Sequence, residues 1–351
     1  MRAALIPAVL IAAALAALLA FAPRPGVDRQ IAFDDSVLGD DPEVWLEVSE
    51  QQYADLRPGA AKRIQWAGAR GAKTPLSVVY IHGFSASAEE IRPVPDEVAK
   101  ALGANLYYTR LAGHGRPPEA LARVEAGDWV EDMAEAMAIG RRIGGQVIVI
   151  ASSMGGALAA IAATDPELSR DMAGLVLVSP ALDLRAPLGT LLDLPLASSW
   201  APFLLGRHRE VAPVNADHAR YWTTRIPTAA LFPLAALMRE ARAQDYTRAG
   251  MPLLVILSPD DRVISPEAAA EVTAHWGGPL RIEERRMTAG DDALAHVIAG
   301  DVFSPGQTEA VIALILDWAR NDWARSDGAR GDRSRNDGTQ NNGAQNNGGR
   351  P

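Results

Sequence analysis

Gln146-Val-Ile-Val-Ile-Ala-Ser-Ser-Met-Gly-Gly-Ala-Leu-Ala-Ala160 is the stretch that decides the fold. It begins with an unbroken run of β-branched residues, Val147 to Ile150, which predicts a short buried strand. It ends in an Ala/Leu run, residues 157–163, whose composition favours a helix. Because few residues separate the two parts, the sequence predicts a strand that turns sharply into a helix.

The turn between that strand and that helix has a small residue on each side of a serine. Ala151 and Gly155 flank Ser153 symmetrically, which makes Ser153, and not Ser152, the apex. A sharp turn strains its apex, pushes the apical side chain outward and needs small neighbours, as in the G-x-S-x-G nucleophile elbow. The helix start behind the apex also offers free N–H groups and a positive dipole end. The alternative is an ordinary strand–turn–helix in which the serines cap the helix.

The composition is that of a globular, acidic protein. Of the 351 residues, 48% are hydrophobic and 22% charged, and the net charge is −9 with a pI near 5.3. The negative charge argues against nucleic acid as a partner. The sequence contains no cysteine, which excludes disulfides, cysteine metal sites and a thiol nucleophile.

The N-terminal segment, residues 1–24, contains an uncharged apolar run from Ala3 to Ala22 that follows Arg2. About 20 apolar residues span a bilayer as a helix, and positive charge before the run favours an outward-facing domain. The alternative is a cleaved secretory signal with Ala20-Phe-Ala22 as its cleavage site. We therefore expect membrane association through this segment, with the domain facing the periplasm or exterior, or export after signal cleavage.

The C-terminal stretch, residues 321–351, consists mainly of Asn, Gly, Asp, Arg, Ser and Gln. A segment with so few apolar residues cannot bury a core, so we predict a disordered, low-complexity tail. We assign it no function.

Short apolar strands alternate with helical patterns through the rest of the chain. Buried strands are predicted at 77–82, 105–109, 174–180, 252–257 and 280–284, and helices at 89–102, 129–143 and 305–318. Val44–Val48 and Lys62–Trp66 are predicted to be the first strands, with a hairpin at the sheet edge as one possible pairing. Apolar strands separated by helices indicate an α/β fold with a mostly parallel, twisted sheet and helices on both faces.

The interval between the strands at 174–180 and 252–257 is too long for one crossover, so residues 183–249 are predicted to be an insertion. Ligand sites of open α/β sheets lie at the carboxyl ends of the strands. This favours a helical cap there, and a plain helical extension packed on the core is the alternative. The core then comprises residues 25–182 and 250–320. The bulky apolar residues expected to face a pocket from the cap are Trp200, Phe203, Leu204, Tyr221, Trp222, Phe232 and Met238.

A serine hydroxyl becomes a nucleophile only when a base takes its proton and a carboxylate orients that base. In elbow-type hydrolases the acid and then the histidine follow the serine along the chain. Asp260 and Asp261 stand directly after the strand at 252–257, although a solvated Pro-Asp turn would look the same. His296 follows the last strand and precedes the last helix, and it is the histidine in the required order and place.

An oxyanion needs two donors that are aimed in advance. The N–H of Met154, directly after the apical serine, is one candidate. The other should come from His82-Gly-Phe-Ser85, which follows an earlier strand, and there the N–H of Phe84 is the better candidate because Gly83 lets the backbone turn inward. The side chain of Phe84 would then shape an acyl pocket or belong to the core.

These motifs together resemble the serine α/β-hydrolases, most closely the carboxylesterase and monoacylglycerol lipase group. The matching segments lie within residues 78–318, without the cap, and are Tyr80-Ile-His-Gly-Phe-Ser-Ala86, Arg110-Leu-Ala-Gly-His-Gly115, Asp128-Trp129, the Ser153 turn, Asp261-Arg-Val-Ile-Ser-Pro266 and His296-Val-Ile-Ala-Gly-Asp301.

The resemblance implies hydrolysis of a carboxylic ester through an acyl-enzyme on Ser153, with no metal and no organic cofactor. In the resembling esterases the acid precedes an x-aliphatic-aliphatic step, which here selects Asp261 over Asp260. The sequence departs from the family pattern at Ala151, where glycine is usual, and in an insertion-like stretch, residues 288–295. Neither departure removes a catalytic group.

Three functions remain open at the level of the sequence. The first is an esterase or lipase that acts on apolar acyl esters such as monoacylglycerol or lysophospholipid. The second is a peptidase or acyltransferase with the same triad of Ser153, Asp261 and His296. The third is a non-catalytic binding protein of this fold, which the intact triad disfavours.

Overall fold

The computed structural model describes residues 24–185, 188–192 and 194–323. Its strands are β1 (Arg63–Gln65), β2 (Thr74–Ile81), β3 (Asn105–Tyr108), β4 (Gly144–Ser152), β5 (Met172–Val178), β6 (His208–Glu210), β7 (Arg225–Pro227), β8 (Leu253–Leu257) and β9 (Leu280–Glu284). In the described residues the main sheet has seven strands in the order β1-β3-β2-β4-β5-β8-β9. β1 is antiparallel to β3, and the other neighbouring pairs are parallel.

The helices lie between these strands and cover both faces of the sheet. In chain order they are α1 (Pro42–Gln51), α2 (Val94–Leu102), α3 (Pro118–Leu121), α4 (Ala126–Ile143), α5 (Met154–Thr164), α6 (Leu188–Leu192), α7 (Ala197–Leu205), α8 (Ala216–Tyr221), α9 (Leu231–Arg242), α10 (Pro266–Thr273) and α11 (Thr308–Trp318). Short 3₁₀ turns lie at Asp35–Leu38, Thr228–Ala230, Tyr246–Arg248 and Pro305–Gln307. The predicted α/β-hydrolase architecture, a mostly parallel sheet between helices, is confirmed.

The central strand β4 shows why the sheet is apolar on both faces. Val147 and Val149 belong to the apolar cluster that contains α4 and α5. Ile148 and Ile150 belong to the opposite cluster, with α2 and α11. Because successive side chains of a strand point to opposite faces, a strand covered on both sides must be apolar at every position.

The predicted strand Val44–Val48 is wrong, because this segment lies inside helix α1. Asp41 caps the helix with its side chain and Pro42 occupies the first turn, and both are start signals for a helix. A short, mostly apolar run also fits a half-exposed helix, in which Leu46 is buried whereas Val44 and Val48 are exposed. No hairpin therefore joins this segment to β1, which pairs with β3 instead.

The helix predicted from Glu89 begins later, at Val94. Prolines 93 and 95 stand at its start, where the missing N–H and fixed φ of proline are tolerated. Residues 82–93 therefore form a loop at the carboxyl end of β2, and the side chain of Glu90 turns back into the protein, where it is 3% exposed.

The cap segment, residues 183–249, contains α6 to α9 and the antiparallel pair of β6 and β7. It contacts loops at the carboxyl ends of the core strands. The N–H of Thr223 donates to the carbonyl of Ser85, at 2.7 Å, in the loop after β2. The side-chain amide of Asn215 donates to the carbonyl of Val302, at 2.7 Å, in the loop after β9.

The bulky apolar residues of the cap segment differ in exposure, and Trp200 and Tyr221 are partly buried. Trp222, Phe232 and Met238 are buried. Phe203 and Leu204 on α7 are 92% and 69% exposed, so the expectation that they face a pocket is wrong. Hydrophobicity alone does not tell which side of a short helix meets the core.

The predicted N-terminal membrane segment, Ala3–Ala22, lies outside the described residues. Among the residues that the structure does describe, no helix is long and apolar enough to cross a bilayer. At the other end, the helical turn Ala319–Trp323 extends three residues into the predicted tail, and residues 324–351 also lie outside the described part.

Candidate active site

Ser153 occupies the apex of the turn between β4 and α5. Its backbone φ of 49° and ψ of −117° place it in a region that residues with side chains seldom adopt. Its hydroxyl makes no capping bond to the helix behind it, which removes the alternative of a simple helix cap. A Cβ on Gly155 would lie 2.5 Å from the carbonyl oxygen of Ile81, so only glycine allows this close approach. The turn has the strain and the close packing of a nucleophile elbow.

Ser153, His296 and Asp261 form one hydrogen-bonded chain. The Oγ of Ser153 lies 2.9 Å from Nε2 of His296, and Nδ1 of His296 lies 2.8 Å from Oδ2 of Asp261. An ionised carboxylate can only accept hydrogen bonds, so Nδ1 carries the ring proton. Nε2 is then free to accept the proton of the Ser153 hydroxyl.

The two neighbouring aspartates have different environments. The side chain of Asp261 is fully buried, and its Oδ1 accepts the N–H groups of Val263 and Ile264 at 2.7 and 3.0 Å. Asp260 lies at the surface, where its carboxylate pairs with Arg286 at 3.0 Å. The structure therefore brings Asp261, and not Asp260, to the histidine.

Two backbone N–H groups near Ser153 have no acceptor within the described part of the chain. Gly83 and Ser85 donate their N–H groups to Glu90 and to Nε2 of His114, whereas the N–H of Phe84 between them has no partner. The N–H of Met154 is at the first position of α5, where a helix supplies no internal acceptor. Both groups are therefore available to an oxyanion. The ring of Phe84 packs edge-on against His114 and Trp129.

His82 and His114 serve the structure of the loop around Phe84. Nε2 of His82 accepts the N–H of Leu111 at 3.1 Å, and Nδ1 contacts the carbonyl of Gly83 at 2.9 Å. Burial lowers the pKa of His114 to about 4 and the pKa of His82 well below its usual range. Near pH 7 both rings are thus uncharged, and their nitrogen atoms contact backbone groups of this loop and of the segment after β3.

Two carboxylates near the triad escaped the sequence reasoning. Asp292 accepts the N–H groups of both His296 and Val297 at 2.9 Å. It lies in the stretch 288–295, which at the level of the sequence is only insertion-like. The sequence predicts Glu90 to lie inside a helix, but the helix begins four residues after it, at Val94. An aspartate four residues before a candidate histidine was the one usable signal.

The pKa of His296 sets the expected pH dependence. Burial lowers this pKa, but the hydrogen bond and the charge of Asp261, together with the charges of Glu90 and Asp292, outweigh burial, and the pKa lies above its ordinary value. Only the neutral ring can take the serine proton, so kcat/KM should rise with pH along a limb centred above about 6.5. A pH profile with a p-nitrophenyl ester measures this limb. An acid limb centred below 6 would contradict the raised pKa.

Within the described residues no group of three or more His, Asp or Glu side chains could hold a metal ion. The groups that the structure brings together at this site are a serine, a histidine, an aspartate and two backbone donors.

A family model described as "Serine aminopeptidase, S33" matches residues 72–282. This match covers more than half of the chain, so the chain belongs to that family of serine α/β-hydrolases. It is a hydrolase of the carboxylesterase and lipase type. The expected relation to the carboxylesterase and monoacylglycerol lipase group is confirmed.

Individual relatives agree with this assignment. The chain is 29% identical to a thermostable monoacylglycerol lipase of Bacillus sp. (strain H-257) over 192 residues. This match covers 55% of the chain and 73% of the relative. A solved structure from the work on LipS and LipT, two metagenome-derived lipolytic enzymes, has a TM-score of 0.60 at 22% identity, over 76% of this chain and 99% of the other. A soluble variant of monoglyceride lipase from Saccharomyces cerevisiae has a TM-score of 0.53 at 13% identity, over 74% and 90%. At these identities the two structures show the shared fold.

Proposed function

We propose that this protein hydrolyses carboxylic esters through an acyl-enzyme on Ser153. The observation that carries the proposal is the continuous chain from the Ser153 hydroxyl through His296 to the buried Asp261. Asp261 orients the ring and stabilises its protonated form, and His296 takes the serine proton. An ordinary helix-capping serine would have no reason to lie 2.9 Å from a histidine that is held in this way.

The reaction follows from these positions. The Oγ of Ser153 attacks the ester carbonyl while Nε2 of His296 takes its proton, and the N–H groups of Phe84 and Met154 stabilise the resulting oxyanion. The protonated ring then gives its proton to the leaving alcohol, and an acyl-serine remains. A water molecule then attacks the acyl carbonyl while His296 takes its proton. His296 returns this proton to the Oγ of Ser153, and the carboxylic acid is released.

The proposed substrates are esters of apolar acyl chains, such as a monoacylglycerol or a lysophospholipid. The monoacylglycerol lipase relative and the apolar cap segment support this class. Membrane association through Ala3–Ala22 would bring the enzyme to such substrates, and it stays a prediction of the sequence.

Activity is expected to rise with acyl length on a series of p-nitrophenyl esters, beginning with acetate. Each buried CH₂ contributes about 0.8 kcal/mol. Each CH₂ added to the acyl chain should therefore raise kcat/KM by up to roughly fourfold, until the pocket is full. The control is Phe203→Ser, since Phe203 is 92% exposed and its loss should leave the length dependence unchanged. A preference for acetate over every longer chain would contradict the proposal.

A peptidase is the second candidate, because the matching family model is described as a serine aminopeptidase. The same triad can cleave an amide, so the geometry of Ser153 does not separate the two reactions. Amino-acid p-nitroanilides assayed beside the esters do separate them. A higher kcat/KM on any anilide than on the best ester would select the peptidase.

A further inference from the structure

Glu90 is a buried carboxylate that makes no hydrogen bond to the triad. It is 3% exposed and lies in the loop between β2 and α2. Its Oε2 accepts the N–H of Gly83 at 2.7 Å and the hydroxyl of Tyr80 at 2.9 Å. Burying a carboxylate is costly unless hydrogen bonds compensate, and one of the two donors here is the backbone directly before Phe84.

The carboxylate lies directly behind the nucleophile. A Cβ built on Gly83 would be 2.6 Å from Oε1 of Glu90 and 2.9 Å from Cβ of Ser153. Gly83 is therefore packed between the acid and the serine, and any shift of its backbone changes the distance between the Phe84 N–H and the Ser153 hydroxyl.

The peptide planes on both sides of Gly83 are held by hydrogen-bonding contacts, to side chains and to one backbone N–H. Glu90 holds the preceding plane through the Gly83 N–H. His82 and the N–H of Ala86 hold the following plane, because both contact the Gly83 carbonyl, at 2.9 and 3.3 Å. In a trans peptide the N–H points opposite to the carbonyl, so these contacts direct the Phe84 N–H. Without them a glycine has the largest backbone freedom of any residue.

We propose that Glu90 is a positioning residue for the acyl transfer, which holds the Gly83 amide so that the N–H of Phe84 is aimed at the oxyanion. This inference rests on the proposed function. A carboxylate suits the task because its hydrogen bond to a backbone N–H is charge-assisted, and such bonds are about twice as strong as neutral ones.

Glu90→Met keeps the length of the side chain and removes both acceptors. Its kcat on p-nitrophenyl butyrate is expected to fall by roughly 10- to 100-fold, because a displaced oxyanion donor costs less than a deleted one. KM should change little, since the oxyanion forms only after the substrate binds. Glu90→Gln, whose amide oxygen can accept both donors, should recover most of the lost kcat.

The matched control is Glu89→Gln. Glu89 is the adjacent carboxylate, but its partly buried side chain pairs with Arg63 and Arg92 and not with the amide of Gly83. This variant should keep the kcat and KM of the parent enzyme. It separates the position of the acid from the general effect of losing a negative charge near the site.

A folded Glu90→Met enzyme with kcat within twofold of the parent, or a Glu90→Gln enzyme no faster than Glu90→Met, would overturn the inference. If Glu90→Met does not fold, Glu90→Asp replaces it, because the shorter acid keeps its charge but no longer spans the distance to Gly83. Ser153→Ala in the same series tests the proposed function separately. Turnover that survives Ser153→Ala refutes the acyl-enzyme, whereas an unaffected Glu90→Met enzyme that needs Ser153 refutes only the role of Glu90.

Discussion

Ser153→Ala is expected to lower kcat on p-nitrophenyl esters by about 10⁶-fold and to abolish covalent labelling by a fluorophosphonate. Alanine removes the only atom that can form the acyl-enzyme, and it leaves His296 and Asp261 without a proton to transfer. Residual turnover would come from the oxyanion donors and from substrate binding alone.

The control for this change is Ser152→Ala, the neighbouring serine. Ser152 ends strand β4, and of these two serines the hydroxyl that lies within hydrogen-bond distance of Nε2 of His296 is that of Ser153. Ser152→Ala should keep most of the fluorophosphonate labelling. Normal labelling of a folded Ser153→Ala protein, located by mass spectrometry of the labelled peptide, would end the assignment.

Asp261→Asn is expected to lower kcat by up to about 10⁴-fold, by the precedent of the serine proteases. The amide keeps the shape of the side chain, but it can offer an N–H to Nδ1 of His296. The ring would then take the other tautomer and could no longer accept the proton of Ser153. The side-chain oxygen of the asparagine can still accept the N–H groups of Val263 and Ile264, so the variant is expected to fold. Circular dichroism checks this.

Asp260→Asn provides the matched comparison at the adjacent position. Asp260 pairs with Arg286 at the surface, and an exposed pair of this kind contributes about 0–1 kcal/mol. We expect a small change of stability and almost no change of kcat. A larger loss of kcat in Asp260→Asn than in Asp261→Asn would reverse the assignment of the acid.

The sequence predicts those parts of the site whose place in the fold follows from a short stretch of residues. The β-branched run Val147–Ile150 can only be a strand covered on both sides, and the small residues around Ser153 fit only a tight turn. The choice of Asp261 over Asp260 depended on resemblance, and its physical reason is that Val263 and Ile264 direct their N–H groups to one of the two carboxylates.

Other features depend on contacts that no local pattern contains. Val44–Val48 is a short, mostly apolar run that fits a strand as well as a helix. The capping Asp41 and the proline after it start a helix there. Glu90 holds Gly83 only because the loop after β2 folds back on itself. The exposure of Phe203 likewise depends on how the cap segment packs, which hydrophobicity does not specify.

The backbone hydrogen bond from Thr223 to Ser85 bears on how this enzyme could be redesigned. With the bond from Asn215 to Val302, it joins the cap segment to the loops that carry the Phe84 donor and His296. A chimera that receives the whole cap of a relative would exchange these two attachments together with the rest of the segment. Selectivity and turnover would then change as one property. A graft that leaves residues 211–224 in place, between β6 and β7, would keep both attachments and would show what the other cap helices contribute on their own.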